Sequence, residues 1–289
     1  MKFNNLQKES FVLNFSHASI DLTKKVAVMG ILNLTPDSFY DGGRYITEKE
    51  VMRRVEQMIR EGADIIDIGG ESTRPGARKI SWEEEVKRTI PYIKKITRLF
   101  KLPISIDTYK AKVAKEAIES GAEMVNDISG LRFDPDMAGV VSSNKVFLVI
   151  MHIKGTPRNM QDNPQYGNLM GEIVSYLKES LKIAESAGIN LKKIIIDPGI
   201  GFGKTVEHNL FILKNLKELR VLGRPILIGV SRKSFIGKVL NLPLEERLPG
   251  SLAATCIGLV GGARVVRCHD VKETRQVVDL AEAILQSKI

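Results

Sequence analysis

Aromatic residues make up only 6% of this 289-residue chain, with a single tryptophan. Single-stranded nucleic acids are gripped by stacking aromatics set in a basic groove, so the formal charge of +9 does not by itself indicate a nucleic-acid partner. The Lys and Arg residues are mostly interleaved with Glu, as in E-V-K-R at 85–88, which reads as solvated helix faces. A basic surface that concentrates at one site would instead suit a small anionic substrate. Cysteine is scarce: Cys256 and Cys268 have neither metal nor redox spacing, and a reducing, cytoplasmic setting is expected. No apolar run approaches the ~18 residues of a membrane span, and the opening M-K-F-N-N-L-Q-K-E lacks the apolar centre of a signal peptide. No membrane partner is expected. Also missing are H-E-x-x-H, a paired-cysteine metal site and the G-x-S-x-G elbow.

What is present centres on D-P-G-I-G-F-G-K-T, residues 197–205, behind three isoleucines. An apolar run, an acid, three glycines and then a helix describe a strand end that faces a ligand. Glycines there let backbone N–H groups approach a partner closely. Two phosphate-loop patterns fail. The P-loop needs Gly six residues before Lys204, where Pro198 stands, and G-x-G-x-x-G would put its last Gly at Lys204. Asp197 should therefore meet a hydrogen-bond donor or a cation; the plainer reading is an Asp that caps the next turn.

The same grammar repeats along the chain. Short apolar runs at Val26–Leu32, Asp64–Ile68, Pro103–Ile106, Met124–Val125, Val146–Ile150, Ile194–Ile196, Ile226–Val230 and Val265–Val266 alternate with helical stretches. One helix is expected from Thr47 to Glu61 and another opens at Ser81 with a capping box to Glu84, kinked or split at Pro91. Alternation of this kind implies a parallel sheet with right-handed crossovers. Eight units in slightly more than ~250 residues suit a closed (β/α)8 TIM barrel, a single α/β domain; an open doubly wound sheet is the weaker alternative. The barrel domain spans 26–289, and residues 1–25 form a lead-in that reads as a short strand plug.

In such a barrel all strand C-termini share one rim. The residues there are Asn33, Glu71, Asp107, Asn126, Met151, Asp197, Ser231 with Lys233, and Arg267 with His269. Asp107, Asn126 and Asp197 offer acceptors to a ligand rich in N–H groups. Asn33, Ser231, Arg267 and His269 suit an oxyanion. Lys233 fits either wall, and the expected ligand has a donor-rich part and an anionic part. Each residue also has a plain alternative: Asp107 as a helix cap, Asn126 as a turn residue, Arg267 as the ion-pair partner of Asp270.

With those residues placed, the chain resembles the dihydropteroate synthases over about residues 26–286. The likeness rests on M-G-I-L-N-L-T-P-D-S-F-Y-D-G-G (29–43), G-G-E-S-T-R-P-G (69–76), S-I-D-T (105–108), N-D-I-S-G (126–130), M-H-I-K-G-T-P-R-N-M-Q (151–161), D-P-G-I-G-F-G-K (197–204), S-R-K-S-F (231–235) and R-C-H-D-V (267–271), all in order. It implies condensation of 6-hydroxymethyl-7,8-dihydropterin pyrophosphate with 4-aminobenzoate to 7,8-dihydropteroate and pyrophosphate, a folate-synthesis step and sulfonamide target. By the family pattern Asp107, Asn126, Asp197 and Lys233 hold the pterin, flanked by Met151, Phe202 and Arg267. Asn33, Ser231, Arg267 and His269 face the pyrophosphate, with Mg2+ on Asn33. Phe39, Thr73, Arg74, Pro75, Lys233 and Ser234 form the 4-aminobenzoate pocket from mobile loops. Asp107, Asp197, Lys233 and Arg267 are the catalytic set, and a homodimer through late helices is implied. Cys268 and Tyr40 depart from a common valine and serine. The alternatives are a corrinoid-type pterin-binding methyltransferase, which would not need S-R-K-S or T-P-D-S-F, and a non-catalytic pterin-binding homologue.

Overall fold

The computed structural model describes residues 11–35, 47–74 and 76–287. Strands β1 (Val12–Asn14) and β2 (Ser19–Asp21) form an antiparallel hairpin. The strands β3 (Ala27–Asn33), β4 (Ile65–Gly69), β5 (Ile104–Asp107), β6 (Met124–Asp127), β7 (Phe147–Met151), β8 (Ile194–Asp197), β9 (Ile226–Ile228) and β10 (Ala263–Cys268) close in chain order into an eight-stranded barrel. Its neighbouring strands pair in parallel, and β10 closes on β3. The expected TIM barrel is the observed one.

The residue pattern explains the closure. Strand side chains alternate between two apolar clusters. Ala27, Met29, Ile65, Met124, Phe147, Val149, Ile195, Leu227 and Val265 join one, together with Phe11, Leu13, Ile20 and Leu22 of the hairpin. Val28, Ile66, Ile68, Leu148 and Ile196 join the other, with the helices. The first cluster is the barrel interior, and the hairpin plugs it at the end from which the strands start. Strands buried on both faces read as near-continuous apolar runs, which is why they were visible in the sequence.

The helices α1 (Glu48–Arg60), α2 (Trp82–Leu99), α3 (Ala111–Glu119), α4 (Met137–Asn144), α5 (Leu169–Ser186), α6 (Val206–Lys214), α7 (Ser234–Leu240), α8 (Leu248–Gly261) and α9 (Val271–Gln286) complete the units. Thr47 caps α1 in a reciprocal box with Glu50, and Ser81 accepts from the Glu84 amide at the start of α2. Two expectations need correction. Pro91 does not split α2, which runs as one helix. Both Pro91 and Lys87 are exposed, so the carbonyl left without its helical partner can turn to water. Helix α4 was not expected; it is two turns long and buries only Met137, Ala138 and Val141, too short to show a period. Among the described residues no helix is long and apolar enough to cross a membrane.

Candidate active site

Strand register lines up the polar groups. Asn33 of β3 is opposite Gly69 of β4, Gly69 opposite Asp107 of β5, and Asp107 opposite Asn126 of β6. Met151 of β7 is likewise opposite Asp197 of β8. The apolar strand cores thus end in one ring of functional groups, because each apolar run stops at a similar height in the barrel.

A buried charge network holds one side of this ring. Arg267 donates from Nε to Asp67 Oδ2 at 2.5 Å and from Nη2 to Asp107 Oδ2 at 2.6 Å. Asn126 Nδ2 donates to the same Asp67 oxygen at 3.0 Å. Asp67 and Asp107 each keep a second, buried oxygen, Oδ1, that has no hydrogen-bond partner. Orphan acceptors of this kind call for a donor such as a water or a ligand N–H. Burial pushes the Asp107 carboxyl up to about 7, against the pull of Arg267 and with the push of Asp67. Arg267 is not the partner of Asp270. That carboxylate takes a two-pronged ion pair from Arg232 at 2.9 and 2.7 Å.

Across the mouth, Asp197 is buried and raised by desolvation, with Lys233 opposing. Its Oδ1 accepts from the Gly199 amide at 2.6 Å, so it does organise the turn that the plainer reading foresaw. The Lys233 amine donates to the Ile200 carbonyl and lies 4.9 Å from the Phe202 ring centroid. Burial lowers Lys233 to about 8, with Asp197 opposing. Phe202 and Met151 pack in one small apolar cluster with Ile128, Ile153, Met160, Tyr109 and Phe133, an apolar slab beside the polar ring.

The third sector joins the loops after β9 and β10. Ser231 Oγ lies 3.0 Å from His269 Nδ1 and accepts the His269 amide at 3.1 Å. The hydroxyl that accepts this amide thus also meets Nδ1, and the pair holds the ring with its Nε2 edge turned away from Ser231. Burial, with Arg267 nearby, lowers His269 to about 4, so at neutral pH it is an uncharged ring with one N–H to donate. Lys233 is the N-cap residue of α7, and Ser234 is its exposed first residue.

Thr73 is half-buried and Arg74 exposed in the loop after β4, and the positive charge of Arg74 is felt at His269. Phe39 and Pro75 lie outside the described residues, as does most of the loop after β3. Glu71 turns away from a ligand role: with Glu85 it holds Lys110 at 2.8 and 2.5 Å. Sequence reasoning missed Asp67 and the pair Lys204–His152. The Lys204 amine sits 2.9 Å from His152 Nδ1 and donates to the Phe202 carbonyl at 2.9 Å, fixing the residue that walls the site. An acid inside the apolar run I-I-D-I-G was the available signal for Asp67.

The ring thus combines acceptors for a donor-rich heterocycle, an apolar slab for its face and uncharged or cationic donors for an anion. Comparisons with known proteins give the family. The pterin-binding-enzyme family profile matches residues 29–269. The chain is 49% identical over 267 residues to the dihydropteroate synthase of Clostridium beijerinckii, covering 92% of this chain and 97% of that one. The crystal structure of the Yersinia pestis dihydropteroate synthase with a sulfonamide drug complex aligns with a TM-score of 0.91 at 39% identity, over 96% of this chain and all of the other (100%). The Xanthomonas albilineans dihydropteroate synthase with 4-aminobenzoic acid aligns with a TM-score of 0.90 at 38% identity, over 97% and 100% of the two chains.

Proposed function

The chain belongs to the dihydropteroate synthases of the pterin-binding enzyme family, and from that membership we propose how its barrel mouth divides the work. The reaction joins 6-hydroxymethyl-7,8-dihydropterin pyrophosphate to 4-aminobenzoate in folate biosynthesis. The observation that carries the division is the buried carboxylate wall with its orphan oxygens. A pterin edge is rich in N–H groups, and Asp107, Asn126 and Asp197 are the acceptors that meet it. Met151 and Phe202 cover the ring face, Arg267 lies along it, and Lys233 donates to it.

The pyrophosphate takes its donors from Ser231, His269 and Arg267. The neutral His269 ring offers Nε2–H without needing a proton from solvent. As the C–O bond to pyrophosphate breaks, its electron pair leaves with the oxyanion, and the positive charge left on carbon spreads into the electron-rich ring. Preformed charges aimed at that developing separation lower the barrier: Asp107 and Asp197 face the cation, Arg267 and His269 the anion. The aniline nitrogen of 4-aminobenzoate then forms the C–N bond and sheds one proton. Thr73, Arg74, Ser234 and Lys233, with Phe39 and Pro75, hold the 4-aminobenzoate and its carboxylate.

Among the described residues no group of three His, Cys, Asp or Glu side chains is set to hold a metal. Magnesium typically keeps several waters and takes one or two protein oxygens beside substrate phosphates, so the single amide oxygen of Asn33 suits an ion carried in with the pyrophosphate. Bound there, Mg2+ supplies charge neutralisation to the leaving group.

Residues 26–289 act as the catalytic barrel, with the hairpin of residues 11–22 as its plug, and the free thiols Cys256 and Cys268 suit the cytoplasm. The exposed apolar side chains Ile257 and Val260 on α8 and Leu280 and Ile284 on α9 support a homodimer through these helices.

The test is turnover. Purified protein given both substrates and Mg2+ should release pyrophosphate and form dihydropteroate only when 4-aminobenzoate is present. A folded sample that forms no dihydropteroate would sink the reading, and methyl transfer from a methylated pterin would favour the corrinoid-type alternative.

A further inference from the structure

Asp67 touches both walls of the site from below. It is on β4 opposite Ile31 and Ser105, two residues before Gly69 and so one step deeper than the ring of strand-end groups. Its carboxylate is fully buried. One of its oxygens, Oδ2, accepts from Arg267 Nε and from Asn126 Nδ2 together. A carboxylate buried in a barrel is costly unless it is paired. This one is paired to a guanidinium and an amide that both belong to the site.

We propose that Asp67 is a positioning residue for the pterin: it sets which end of the Asn126 amide faces the ligand and aims the Arg267 guanidinium. The inference rests on the pterin reading above. An ionised carboxylate only accepts hydrogen bonds, so it turns the NH2 of Asn126 toward itself and leaves Oδ1 as the end offered to a ligand. Without that constraint the amide can flip and present a donor to a heterocycle edge that also presents donors. For Arg267, the bond at Nε fixes the plane of the guanidinium, and the bond from Nη2 to Asp107 then locks its rotation. Four strands, β4, β5, β6 and β10, are tied through this one side chain and its partners.

Two substitutions separate positioning from bulk structure. Asp67→Asn keeps an oxygen where Oδ2 stands, so both bonds survive while the charge is lost. Asp67→Ala removes both acceptor bonds. In calorimetric titrations with 6-hydroxymethylpterin, which lacks the pyrophosphate, Asp67→Ala should weaken binding about tenfold to hundredfold, the loss of charge-assisted hydrogen bonds. Asp67→Asn should stay within about fivefold of wild type, and the KM for 4-aminobenzoate should be unchanged in both.

A second readout uses pH. Besides burial, the charges acting on Asp107 are those of Arg267, Asp67, Glu85, Asp127 and Lys233. Removing the Asp67 charge takes away a repulsion on Asp107 while the Arg267 bond stays, so the acid limb of kcat/KM should move to lower pH in Asp67→Asn. A loss of stability alone would leave that limb in place. Folded Asp67→Ala that binds the pterin as wild type does would overturn the proposal. So would an Asp67→Asn variant whose pterin affinity falls about tenfold or more although both bonds survive, since charge and not positioning would then be at work, and that outcome is decisive even if the alanine variant does not fold. If wild type itself binds no pterin, the functional reading fails instead.

Discussion

In the proposed division of work, Asp107 and Lys233, both buried and of opposite sign when ionised, set the pH range of the site. Asp107 accepts with both oxygens only when ionised, yet burial holds its carboxyl at about 7 before substrate arrives. Below that pH the proton stays on, and pterin capture weakens by up to about tenfold per unit. Lys233 loses its proton above about 8, and with it the charge offered to the 4-aminobenzoate carboxylate. The kcat/KM profile is therefore bell-shaped and narrow, with its maximum between the two values. A profile that is flat from about pH 6 to about pH 9 would contradict these roles. Asp107, Asn126 and Asp197 were legible in the sequence because each is a polar residue that closes an apolar run. Asp67 offered only the weaker signal of an acid inside an apolar run, and only the folded barrel shows that its carboxylate meets a guanidinium 200 residues away. Lys204 and His152 were hidden for the same reason, since their contact spans two separate loops.

The loops after β7 and β8 explain the glycines of D-P-G-I-G-F-G-K. A Cβ on Gly199 would lie 1.9 Å from the His152 carbonyl oxygen, and one on Gly203 would lie 2.4 Å from that of Lys154. Both have positive φ, at 69° and 65°. The glycines therefore let two backbones cross, and phosphate binding is not their purpose. Gly199→Ala should disturb the turn that presents Asp197 and weaken pterin binding by more than about tenfold, the scale of one lost buried hydrogen bond or more. Circular dichroism should show the helices retained; wild-type affinity in this variant would contradict the close-approach account. Helix starts were legible where caps were written locally, as at Thr47 and Ser81, whose side chains accept from the amides three residues on. The failed split at Pro91 and the unforeseen α4 have separate causes: the carbonyl freed by Pro91 faces solvent and lets α2 run on, and the two turns of α4 carry no readable period.

For the whole molecule, eight alternating units were enough to specify a closed barrel, since parallel strands need crossovers and a closed sheet has no edges. The surface proposed for a homodimer was less legible, because an apolar face on a helix reads as core until the fold shows it exposed. Ile257 and Leu280 are more than half exposed, at 53% and 65%. Changing both to Asp should convert a dimer to a monomer in sedimentation velocity; an unchanged sedimentation coefficient would place the contact elsewhere. The central claim is that the carboxylate wall grips the ring while a separate set of donors grips the anion. Its most direct test is calorimetric titration of folded Asp197→Ala with 6-hydroxymethylpterin and, separately, with pyrophosphate and Mg2+. Ring affinity should fall by about tenfold or more, the cost of leaving buried donors unpaired, while pyrophosphate binding is kept. Unchanged ring affinity, or equal loss of both ligands, would contradict it.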